Sequence, residues 1–193
     1  MRKRFGSSLG AVGIGAIAFT MITAAAVAQE LSERSVKTIM NYAWAYTPEN
    51  FTPPNGKTVR IDKSQRAEMT VSVAKGREVI QVARLTAHAQ ICDLREDQIN
   101  NYRSLMTREQ QSKKWTPQQL VYINQLHLTT LMMLVGKLQI VEHKDGKRVV
   151  VKEGKSTAKT CTAEQRKQVK ALIARYVASG PKIAAAQSRT KKE

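Results

Sequence analysis

Thr116-Pro-Gln-Gln-Leu-Val-Tyr-Ile-Asn-Gln-Leu-His-Leu-Thr-Thr-Leu-Met-Met-Leu-Val-Gly-Lys-Leu-Gln-Ile-Val141 is the most apolar stretch outside the extreme N-terminus, and its reading decides the fold. Thr116 suits an N-cap, Pro117 the first helical position and Gln119 the partner in a capping box, so a helix is predicted to start here. Leu120, Ile123, His127, Leu131, Leu134 and Leu138 recur at steps of three and four, and Val121, Leu128, Met132 and Val135 form a second stripe beside them. A helix so broadly apolar is a central one that its neighbours must cover, and the pattern carries it to Val141. This stretch speaks for architecture. No part of the chain spells a catalytic or cofactor motif, so no cofactor is expected.

Upstream, Lys113-Lys114-Trp115 turns the chain into this helix. Asp93 with Glu96 resembles another capping box and opens a helix to about Lys113, with Ile99, Tyr102, Leu105 and Met106 facing inward. Before it a long helix is predicted from about Ser64 to Ile91, on the spacing of Met69, Val73, Gly76, Ile80, Ala83, Ala87 and Ile91, although Thr70 to Val73 alternates like a strand. Small residues on that stripe, Gly76, Ala83 and Ala87, admit a close neighbour. Ser32 caps a first helix to about Tyr46, with Val36, Ile39, Met40 and Ala43 inward and Trp44 nearby, and Pro48 ends it. Thr47 to Lys63, with three prolines and Asn55-Gly56, reads as an irregular connection extended at Thr58 to Ile61. Asn50-Phe-Thr52 matches a glycosylation acceptor by coincidence.

Downstream, Ile140 to His143 and Arg148 to Val151 flank Asp145-Gly146, which predicts a small hairpin or a frayed helix end with a loop. Thr162 and Gln165 open a last helix to Ser179, with Val169, Leu172, Ile173 and Tyr176 inward, and Gly180-Pro181 stops it. Five helices without an internal repeat make an all-α bundle, a single helical domain over residues 29–181. The basic tail, residues 182–193, reads as disordered.

The address precedes the domain. Met1-Arg-Lys-Arg4 is a basic n-region, Leu9 to Ala26 is apolar, and Ala26-Val27-Ala28 is a small-x-small cleavage signature, so residues 1–28 read as a signal peptide and the product as periplasmic or secreted. An uncleaved anchor is the alternative, since the apolar run is near the lower limit for spanning a bilayer. The whole chain of 193 residues carries a formal +17. From Lys144 onward, 14 Lys or Arg stand against 4 Asp or Glu. Such a basic end favours polyanions, namely nucleic acid, anionic lipid or lipopolysaccharide, through Lys144, Lys147, Arg148, Lys152, Lys155, Lys159, Arg166, Lys167 and Lys170. The competing reading is a solubilising surface, because only Tyr176 interleaves an aromatic with these charges.

Two cysteines in an exported chain read as a Cys92–Cys161 disulfide. Their rival role is metal binding, with His88 and Cys92 four apart on one helix face and His127 or Cys161 completing the set. His127 lies on an apolar stripe, where it is either a general base or pH switch or a core histidine bonded to a backbone carbonyl, Tyr102 or Tyr122. Thr129 and Thr130 lack the setting of a nucleophile. Met132-Met133, Met40, Met69 and Met106 read as core filler.

Cys92-Asp-Leu94, Lys114-Trp-Thr116, Gln119 and His127 together resemble small exported helical proteins of bacteria in which a Cys-Asp-Leu segment precedes a Trp-(Ser/Thr)-x-x-Gln helix containing His. The resemblance covers Cys92 to His127. It implies an exported helical domain and brings no activity or catalytic residue with it. The expectation is therefore a non-enzymatic binding or structural module of the bacterial envelope, its partner unknown, with a polyanion binder and a metal or hydrolytic protein built on His88 and His127 as rivals.

Overall fold

Side chains that accept a backbone N–H at a helix start set much of the frame. The computed structural model describes residues 31–53, 56–136, 140–144, 147–152 and 160–181. α1 spans Glu33–Tyr46, with Ser32 accepting from Ser35 N, and after the short α2, Arg66–Met69, α3 spans Val73–Ile91 with Ser72 accepting from Lys75 N. α4 is Arg95–Gln111, α5 Pro117–Leu134 and α6 Ala163–Ala178. Both expected boxes, Thr116 with Gln119 and Thr162 with Gln165, close in both directions. Two small antiparallel pairs complete the description: β1 (Asn50–Phe51) with β2 (Val59–Arg60), and β3 (Ile140–Lys144) with β4 (Lys147–Lys152). The chain is thus an all-α bundle with six helices among the described residues. The expected signal peptide and tail lie outside those residues.

Four expectations are corrected. The long second helix is broken, because Thr70 is extended, Val71 is buried and Ser72 starts α3 afresh, with Gln119 Nε2 donating to Thr70 O at 3.2 Å. Asp93 does not cap α4. It ends α3 with a left-handed φ of 53°, while Leu94 N bonds to Ala89 O at 2.8 Å and Asp93 N to Gln90 O at 3.2 Å, the two bonds of a Schellman turn. α5 ends at Leu134 and not at Val141, since Gly136 takes φ 71° just past the C-cap Val135 and turns the chain out of the helix. Beyond it, β3 and β4 pair from Lys144↔Lys147 back to Ile140↔Lys152, so the hairpin alternative holds, with its expected Asp145-Gly146 turn outside the described residues. Finally, Leu128, Leu134, Ile99 and Leu172 are exposed, although the stripes pointed them inward.

That last difference has a physical cause. α5 packs against α3 and α1, and α4 against α3, which centres the covered face of α5 on Tyr122, Ile123, Leu126, Thr129 and Thr130. Tyr122, Ile123 and Leu126 join Val36, Met40, Ala43, Val79, Ile80 and Leu105 in the main core, where Tyr122 donates its hydroxyl to Met40 O at 3.0 Å and meets Trp44 edge-on. Burying a phenol is tolerated because its proton is used. The close neighbour of Gly76 is Met40: a Cβ at Gly76 would stand 2.5 Å from the Met40 sulfur. α6 lies on α3 and α4, and its Val169 and Ile173 share a second core with Ala89, Cys92 and Leu94.

Candidate functional site

The cysteines pair. Cys92 ends α3, Cys161 stands one residue before the N-cap of α6, and a disulfide joins them with Cα atoms 5.0 Å apart. The Arg166 guanidinium, one turn into α6, donates to Cys92 O and, at 3.4 Å, to Asp93 O. It therefore satisfies carbonyls at the end of α3, and this expected polyanion ligand is already committed. Lys167 and Lys170 are exposed on α6. Lys144, Lys147, Arg148 and Lys152 occupy positions on β3 and β4, while Lys155 and Lys159 lie outside the described residues.

The metal set does not assemble. Disulfide sulfurs offer no thiolate, His88 is exposed on α3, and His127 is buried at 3 % exposure. Among the described residues no group of three His, Cys, Asp or Glu could hold a metal ion.

His127 occupies a buried polar knot between three helices. Its Nε2 lies 2.9 Å from Thr86 Oγ1 of α3, and its ring tilts against Tyr102 of α4 with centroids 5.1 Å apart. The partner is thus a threonine in place of the expected carbonyl or tyrosine hydroxyl. Thr86 Oγ1 also accepts from Asn101 Nδ2 at 2.8 Å and lies 3.1 Å from Val82 O. One hydroxyl proton serves both Val82 O and His127, so when it goes to the carbonyl, Nε2–H donates to Thr86. Burial lowers the histidine pKa from 6.5 to about 4, which keeps the ring neutral at ordinary pH. Tyr102, its own pKa raised by burial, spends its proton on Asn124 Oδ1 at 2.7 Å. A neutral imidazole with a threonine on one side and an aromatic ring on the other, sealed from solvent, is built as core.

A different group of polar side chains faces solvent, and the motif reading missed it. Where α6 ends, a cleft of about 750 Å³ opens between the start of α3 and the end of α4. Glu109, 7 % exposed, accepts from Trp115 Nε1 at 2.6 Å and from Lys75 Nζ at 3.2 Å, and Lys75 also pairs with Glu78. Burial opposes the Lys75 charge, but the two carboxylates more than offset it and its pKa is raised. Arg108 stacks over the Tyr176 ring at 4.3 Å and donates to Tyr176 O and, at 2.9 Å, to Ser179 Oγ. Its Nε is buried without a hydrogen-bond partner among the described residues. A charged residue, Glu109, four positions after the inward Leu105 was the available signal, because a carboxylate on a covered stripe demands partners.

Comparison with protein families, with curated proteins and with solved structures finds no match to the chain.

Proposed function

We propose that the chain is an exported, non-enzymatic binding or structural module of the bacterial envelope. The observation that carries this reading is the Cys92–Cys161 disulfide, which fastens α6 to the end of α3 and suits an oxidising compartment. The leader-like residues 1–28 and the resemblance to small exported helical proteins support the same assignment. The sealed setting of His127 removes the best candidate for a general base. Cell fractionation with thiol trapping and intact-mass measurement tests the reading. The expected product is an envelope protein beginning at Gln29 or Glu30 with no free thiol, and a cytoplasmic protein with two free thiols overturns it. A pull-down from envelope extract then identifies the partner.

A second reading, polyanion binding, is favoured by the outer face of α6, where Lys167, Lys170 and Arg175 are exposed and Glu164 is the single acid of the helix. Titration with DNA, anionic liposomes and lipopolysaccharide at low and moderate salt tests it. Affinity should fall steeply with salt and be indifferent to base sequence. Absence of binding to all three at low salt leaves a solubilising surface.

A further inference from the structure

We propose that the cleft between α3, α4 and the end of α6 is a binding site for an acidic saccharide, a sugar chain carrying carboxylates. The proposal rests on the envelope reading above for the source of such a ligand. Its volume of about 750 Å³ falls in the ordinary range of ligand sites, roughly 300–1,000 Å³. The lining is what selects the ligand class. Glu78 and Gln81 offer a carboxylate and an amide, Ser72 a hydroxyl whose proton is not used by its N-cap bond, while Trp115 supplies an indole and Val82 and Leu105 an apolar floor. A ligand matching this wall is polar around its edge and apolar on a face, which describes a sugar ring and not an acyl chain. The polar wall is also held in place. Glu109 fixes the Trp115 ring and the Lys75 ammonium, and the Tyr176 carbonyl and Ser179 hydroxyl fix Arg108, so little freedom remains to be lost on binding.

Charge sets the rest. Lys75, Arg108 and Lys114 face Glu78 and Glu109, which leaves one positive charge in excess. Lys75 is matched by its two acids, whereas Lys114 is exposed and forms no ion pair among the described residues. An isolated carboxylate fits that excess. A dense polyphosphate does not, because the two glutamates repel it, and the chain's own tail from Lys182, which carries Lys182, Arg189, Lys191 and Lys192 against Glu193, has the wrong sign.

The test uses the purified full-length mature chain with trigalacturonate, maltotriose and a short single-stranded oligonucleotide as probes, followed by calorimetry and by Trp fluorescence. Trigalacturonate is expected to bind at least about tenfold more tightly than maltotriose and to lose about tenfold on Lys114→Glu, a reversal of an exposed charge that leaves the fold intact. Trp115→Phe, which keeps a ring, should weaken it less, and Lys167→Glu with Lys170→Glu on α6 should leave it unchanged. No binding of trigalacturonate, equal binding of maltotriose, or insensitivity to Lys114→Glu overturns the proposal. Preferential oligonucleotide binding abolished by the α6 pair overturns it in favour of the polyanion reading. Since these measurements are made in solution, they fail or succeed independently of the fractionation that tests export.

Discussion

Acidification should destabilise this protein through the buried His127. The His127 imidazole is held neutral by burial, with its pKa lowered from 6.5 to about 4, so as pH falls the unfolded chain takes up this proton before the folded one does. The stability contributed is whole above the unfolded pKa, declines between 6.5 and about 4, and is gone below. The full gap is worth about 3 kcal/mol, and the portion expressed between pH 7.5 and pH 5 about 2 kcal/mol. Urea unfolding at half-unit pH steps, followed by circular dichroism, measures the slope. His127→Gln, whose amide can still reach Thr86 but does not titrate, should flatten that window to within about 0.5 kcal/mol. Carboxylates protonate mostly below it, and the difference between the two curves isolates His127 from every other titrating group. If His127→Gln shows the same fall as the parent chain, the buried neutral imidazole is not the cause and the argument is refuted.

Three further outcomes follow from the packing. Replacing Cys92 and Cys161 by Ala opens a loop whose ends are 69 residues apart, which should cost about 4 kcal/mol and lower the Tm by roughly 8–16 °C in a thermal melt. Gly136→Ala places a Cβ at φ 71° and should cost about 1 kcal/mol by denaturant titration, whereas the same change at a helical position would gain stability. Glu109→Ala strands the Trp115 N–H and the half-buried Lys75, so a loss of about 2–4 kcal/mol is expected together with a shift in Trp emission; Glu109→Gln should recover part of both.

The helix starts that could be read from the chain close their hydrogen bonds within three residues, although the equally local Ser72 cap of α3 was hidden by the apolar spacing that runs across it. Ser32, Thr116 with Gln119, and Thr162 with Gln165 need nothing from the rest of the molecule. The disulfide was legible for a similar reason, since two cysteines in a chain whose start reads as a leader have few alternatives. What failed depended on distant partners. Apolar spacing runs unbroken through Met69 and Val73, so the pattern continued a helix across Thr70, where Gln119 reaches in from 49 positions away and Val71 is drawn into the core. Asp93 satisfied the cap template in sequence, yet its left-handed backbone served the helix behind it. The stripes of α5 overstated its outer face because apolar content alone cannot say which side α1 and α3 will cover. The cleft was least legible of all, for Lys75 of α3, Arg108 and Glu109 of α4, Trp115 of the following turn and Tyr176 of α6 match no local motif.

Joined at Cys92 and Cys161, the chain contains a covalent ring that carries α4, α5, β3 and β4. A protease that cuts once inside the ring adds a water to the molecule but releases no fragment. In the native nicked product α6 stays seated on α3 and α4 by Val169, Ile173 and the Arg166 and Arg108 anchors, and under denaturing conditions it runs as one species without a reductant and as two with one. A chain built this way can lose the continuity of its backbone to a protease and keep all of its parts.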